Sequence, residues 1–141
     1  MQWVIFVIFV SILITLDILR NQRRDRRIRN IAQEYGLSFV GSVLPRSFPF
    51  HRTSVRCASR IRNAVVGDLA GTAFVIFDCQ FGVGKHKYFQ TVVAAKGSVE
   101  CFGFQRYDPA LTSESVDNWT IVFRKKELLL PKAIETLLPA K

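Results

Sequence analysis

Residues 3–19 (WVIFVIFVSILITLDIL) are an apolar run broken only by Ser11, Thr15 and Asp17. The run is apolar on every face rather than along one stripe, which predicts a helix surrounded by lipid and not an amphipathic core helix. Trp3 to Leu19 supplies seventeen residues, the short end of the roughly 17–25 that a bilayer core requires. Ser11 and Thr15 can bond back to carbonyls one turn earlier. Asp17 lies near the end, within reach of headgroup water, and the many Ile, Leu, Val and Phe residues, each contributing about −0.3 to −0.6 kcal/mol, outweigh it. Trp3 suits the opposite interface. A cleaved leader needs a positive start and a small-residue cleavage site. Met1-Gln2 has no basic side chain, and no Ala-x-Ala follows the run.

Beyond the span the period changes. Ile28, Ile31, Ala32 and Tyr35 recur at i, i+3, i+4, i+7 and share one helical face. They predict a basic juxtamembrane helix over 20–36, with that face packed on the domain that follows and Gly36 just past the helix end. Residues 37–62 read as a connector. Its stretch 41–54 holds Pro45 and Pro49 and is irregular, and Arg56–Arg62 suits a helical turn.

From Asn63 the period becomes two. Val65 and Val66 run into a turn signal, Gly67–Gly71. In residues 72–81, Val75, Phe77, Cys79 and Phe81 point one way and Phe74, Ile76, Asp78 and Gln80 the other. A loop, 82–87, leads to strands at 88–95 and 99–104. A polar loop, 105–118, precedes a strand at 119–124. Pro131 opens a closing helix. The expected architecture is α+β: one transmembrane helix (1–19), then a small antiparallel sheet of about five strands with helices over one face, the folded domain running from 63 to 141.

The net charge of +9 is unevenly spread. Residues 18–67 hold eleven arginines against Asp25 and Glu34, whereas residues 68–141 hold nine basic and eight acidic side chains. Arg20, Arg23, Arg24, Arg26, Arg27 and Arg29 follow the span directly. Basic residues stay on the cytoplasmic side of a spanning helix. The expected topology is therefore single-pass in the cell (inner or plasma) membrane, N-terminus out, with these six arginines on anionic phospholipid headgroups at about 1 kcal/mol each. A basic patch also suits nucleic acid, but no helix-turn-helix spacing, zinc finger or RNP-type signature accompanies it, so nucleic acid is not an expected partner. Cys57, Cys79 and Cys101 are odd in number and follow no framework spacing, which suits reduced structural thiols; no metal-ligand cluster or cofactor motif is present.

The stretch 63–78, NAVVGDLAGTAFVIFD, reads N-x3-G-x3-G-x5-F-D. It resembles a hairpin motif of small, uncharacterised bacterial membrane-anchored proteins that pair one or two spanning helices with a compact domain. The order is also similar: anchor, basic helix ending in Tyr35-Gly36-Leu37, Pro-containing connector, this hairpin, the Gln90-Thr91-Val92 strand, the "VFRK" strand and a proline-started helix. The resemblance implies an architecture and brings no chemistry.

Candidate reactive groups are few. Gly82-Val-Gly-Lys85 lacks the spacing of a phosphate loop, is followed by His86, and precedes a strand instead of a helix, so it reads as a hairpin tip. His51 with Arg52, Arg56 and Arg62 forms a weak candidate anion site. Asp78 follows four apolar residues in a buried strand, so it needs a partner or a wet edge. The expected role is structural, bonding backbone amides of the neighbouring turn. Asp68 stabilises its own turn. Phe48 and Phe50, flanking Pro49, are expected to cap the core rather than enter the membrane.

These features point to a membrane-anchored, cytoplasmic-facing binding or adaptor module with a protein partner and no catalytic residues. The alternatives are a membrane-face enzyme for an anionic substrate, using Asp78 with Arg52, Arg56 or Arg62, and a structural subunit of a membrane complex, which predicts a large exposed apolar patch.

Overall fold

The computed structural model describes residues 1–98, 100, 102 and 109–139. Cys101 and most of the strand expected at 99–104 lie outside the described residues.

The apolar run and the basic segment form one uninterrupted helix, α1 (Gln2–Glu34), about 50 Å long at 1.5 Å per residue. It is long and apolar enough to cross a membrane, and none of its apolar half is buried against the described residues. It ends as the spacing predicts: Gly36 takes φ +69°, Leu37 N–H donates to Ala32 O, and Gly36 N–H to Gln33 O. Two of the helix's orphan carbonyls are thereby satisfied.

Six strands follow: β1 (Ser38–Gly41), β2 (Arg60–Leu69), β3 (Thr72–Phe81), β4 (Tyr88–Lys96), β5 (Leu111–Val116) and β6 (Trp119–Arg124). A short helix, α2 (Pro131–Leu137), closes the fold with Pro131 at its start. The sheet is antiparallel throughout, in the order β1-β2-β3-β4-β6-β5. The architecture is α+β, as expected, with three differences of detail. β1 lies in the stretch read as connector, Arg60–Arg62 begin β2 rather than a helical turn, and β5 occupies the stretch read as polar loop. Both added strands are sheet edges, where only one neighbour and little burial are needed, so their hydrophobic alternation is weak.

Both faces of the sheet are covered. Ile28, Ile31, Ala32 and Leu37 from the α1 end pack with Ile134 and Leu137 of α2 onto Val65, Phe74, Ile76, Val93 and Val122. The expected docking face of 28, 31, 32 and 35 thus meets the domain and not lipid. On the opposite face the connector lays Phe48, Phe50 and Val55 over Val75, Phe77, Cys79, Val92, Trp119 and Ile121. Phe48 meets Phe77 and Trp119 edge-on at 5.7 and 5.2 Å, and Phe50 meets Phe77 at 6.2 Å. Both aromatics cap the core. The connector is also stitched to β5 and its turn: the Glu114 carboxylate accepts from Ser54 N–H and Oγ–H, and Arg52 pairs with Asp117 at 2.7 Å.

Candidate functional site

The buried polar cluster lies where α1 meets the centre of the sheet. Asp78 sits on the helix-covered face of β3, in line with Phe74 and Ile76, and its side chain is 6% exposed. Its partner is Arg24. Arg24 Nε donates to Asp78 Oδ2 and Nη2 to Oδ1, each at 2.8 Å, a bidentate fork. Asn63 Nδ2 donates to Oδ2 at 3.0 Å, and Thr91 Oγ–H to Oδ1 at 2.7 Å. Each carboxylate oxygen therefore accepts two bonds, which fills its lone pairs. Thr91 Oγ1 in turn accepts from Arg24 Nη2 and from Leu129 N–H, and Arg24 Nη1 donates to Leu129 O. A charge taken out of water is tolerable only with this degree of pairing.

The carboxylate does need a partner, as its burial dictates, but the partner is not the backbone of the neighbouring turn. It is an arginine 54 residues earlier in the chain. Arg24 consequently leaves the set of six arginines expected to face headgroups. It shares the inward face of α1 with Ile28, Ile31 and Tyr35, whereas Arg20, Arg23, Arg26 and Arg27 are exposed. Arg29 is exposed as well, with its guanidinium 4.3 Å from the centre of the Phe39 ring.

The N-x3-G-x3-G-x5-F-D motif has a local reason at each position. Asn63 adopts φ +53° at a bulge between Arg62 and Val65, which turns its amide toward Asp78. A Cβ on Gly67 would stand 2.7 Å from Leu37 Cδ2 and 3.3 Å from Leu37 Cα, so a bare backbone lets the α1 end approach β2. Ala70 and Gly71, at φ +50° and +79°, make the two-residue turn between β2 and β3. Phe77 is fully buried beneath Phe48 and Phe50. Asp78 holds Arg24. The motif therefore encodes the seating of a helix on a sheet.

The expected anion site does not assemble. Arg52 is spent on Asp117, which raises its already high pKa, and the pair sits at the β5–β6 turn. His51 and Arg56 are exposed on the connector. Arg62 lies half-buried in β2, opposite Asp78 in register. Among the described residues, no shared hydrogen-bond or ion-pair partner joins these four. No group of three or more His, Cys, Asp or Glu among the described residues could hold a metal ion.

Of the two described cysteines, Cys57 is exposed and Cys79 is buried. Burial, with Asp78 next in the chain, pushes the Cys79 thiol up to about 12. Its reactive thiolate is therefore scarce near neutral pH. Iodoacetamide at pH 8 should alkylate Cys57 within minutes and leave Cys79 intact until the domain unfolds, as read by peptide mass. Equal rates for the two would contradict the packing around β3.

Compared with protein-family models, curated proteins and solved structures, the chain finds no match.

Proposed function

We propose that this chain is a single-span membrane protein that presents a cytoplasmic α+β body to a protein partner. The observation that carries the reading is the use of the buried charge. Asp78, the acid best placed for catalysis, has both oxygens saturated by groups that fasten α1 to the sheet. A general acid or base needs a free lone pair or proton facing substrate. The enzyme alternative loses its acid to this lock and its basic pocket to the dispersal of Arg52, Arg56 and Arg62.

Beyond Met1 and α1, the exposed large apolar side chains among the described residues are Val40, Val43, Val83 and Leu130. Val40 and Val43 are neighbours and the other two lie on separate segments, so the structural-subunit alternative gains no support. Recognition falls to the sheet edges. β1 is four residues long and irregular at Phe39/Gly41, whereas β5 runs six residues and pairs, among the described residues, only with β6. Strand addition along β5 would use main-chain bonds for affinity and the outward side chains for selection. Arginines C-terminal to the span support the cytoplasmic orientation.

Two readouts on the full chain in its native membrane test this. An impermeant maleimide should spare Cys57 in intact cells and label it after permeabilisation. A photoreactive residue at Ser113 or Ser115 should crosslink one discrete protein that the same residue at Asp68 does not. Crosslinks to lipid alone, from every position, would end the adaptor reading.

A further inference from the structure

The β3–β4 hairpin points along α1 toward the end that carries the apolar run. Three contacts set the direction. Gly67 of β2 touches Leu37 beyond the α1 end, Phe39 beside Val65 receives Arg29, and Asp78 beside Arg62 receives Arg24. Moving back along α1 toward its N-terminus therefore means moving forward along β3. From Arg24 to Leu19 is about 7.5 Å of helix. From Asp78 to Phe81 is already about 10 Å of strand, and the loop Gly82–Lys87 extends further. By these lengths the loop tip reaches the level of the end of the apolar run.

The tip has the chemistry of a leaflet contact. Val83 is 86% exposed at its apex, and Lys85, His86 and Lys87 are exposed beside it. Its shape is fixed by a 3-10 turn at Gly84–His86 and by Phe81 stacked on Tyr88 at 5.0 Å. β6 runs in the same direction as β3 and delivers Lys125 and Lys126 to this end, with Lys126 Nζ 5.6 Å from the centre of the Tyr88 ring. Glu127 is the acid there, and it pairs with Arg124 at 3.1 Å. The opposite end of the sheet holds the Asp68 and Asp117 turns. Lys85, Lys87, Lys125 and Lys126 thus gather toward the apolar half of α1, while the other end holds Lys96, Asp68 and the paired Arg52 and Asp117.

We infer that the Gly82–Lys87 hairpin tip is a second membrane contact, with Val83 at headgroup level and Lys85, Lys87, Lys125 and Lys126 against anionic phospholipid. The inference rests on α1 spanning the bilayer, but on neither orientation. Tip and anchor together hold the sheet upright on one leaflet.

The test places an environment-sensitive fluorophore at Val83→Cys, Asp68→Cys or Ile8→Cys in full-length protein lacking Cys57 and Cys101. Each is reconstituted in phosphatidylcholine vesicles with and without phosphatidylglycerol, carrying shallow or deep nitroxide lipids. The Ile8 site should be quenched by deep nitroxides throughout. The Val83 site should be quenched by shallow ones, more strongly with phosphatidylglycerol, while the Asp68 site stays aqueous. Lys85→Gln with Lys87→Gln should weaken the tip–leaflet equilibrium about fivefold per charge removed and leave the Ile8 signal unchanged. A Val83 signal no greater than that of Asp68, with Ile8 quenched, overturns the tip contact and leaves the anchor standing. An unquenched Ile8 site overturns both.

Discussion

Asp78→Ala should cost about 3–5 kcal/mol of folding stability, because it strands the Arg24 guanidinium at a buried interface. A domain of this size has about 5–15 kcal/mol in all, so the variant approaches the unfolding threshold at growth temperature. The full chain in mild detergent, followed by alkylation of Cys79 on heating, should show a midpoint lower by about 10 °C or more. Arg24→Met should lose a comparable amount by orphaning the carboxylate. The pair Arg24→Met with Asp78→Leu should recover most of the loss, because both charges then leave the interface together. Arg23→Met, one residue away on the exposed face, is the control and should change stability by less than about 0.5 kcal/mol. A midpoint for Asp78→Ala within two degrees of the parent would show that the fork is not what seats the helix.

Phe77→Ala should cost about 3–5 kcal/mol by a different route, the loss of a large buried ring and the cavity left behind. Phe77 is 0% exposed, and Phe48 and Phe50 lean on it from the connector. The loss should therefore fall partly on the connector, with trypsin cleavage after Arg46 becoming faster than in Asp78→Ala at matched overall stability. Phe77→Leu should retain most of the stability. Equal cleavage rates in the two alanine variants would mean that the connector is held by its bonds from Ser54 and Arg52 to the β5 side and not by the aromatic cap.

Periodicity carried the central strands and the two helices, because residues there are sorted onto opposite faces by burial. Val75 and Phe77 went to one core, Phe74 and Ile76 to the other, as the alternation of β3 requires. β5, whose sequence is LTSESV, was not legible as a strand because four of its six side chains are polar and, among the described residues, it pairs only with β6. The Arg24–Asp78 fork was half legible. Asp78 advertised the need for a partner, and the 28-31-35 stripe, continued four residues back, lands on Arg24. Pairwise distance along the chain hid the match, since no local rule links residues so far apart. The connector aromatics were legible from composition, because ten of the chain's twelve phenylalanines lie beyond the apolar run and a small domain has to bury most of them.

A single helix runs from the apolar run to the fork without a proline, a glycine or a break. The apolar run and the folded body therefore have no swivel between them. On the proposed reading that this helix spans a bilayer, a bilayer thicker than the short apolar run prefers creates a mismatch that cannot be absorbed at a flexible neck. A change of tilt in the span turns the whole sheet, and a rotation by one residue swings the β5 edge through about 100° around the anchor. Bilayer thickness becomes an input that the body reads as orientation.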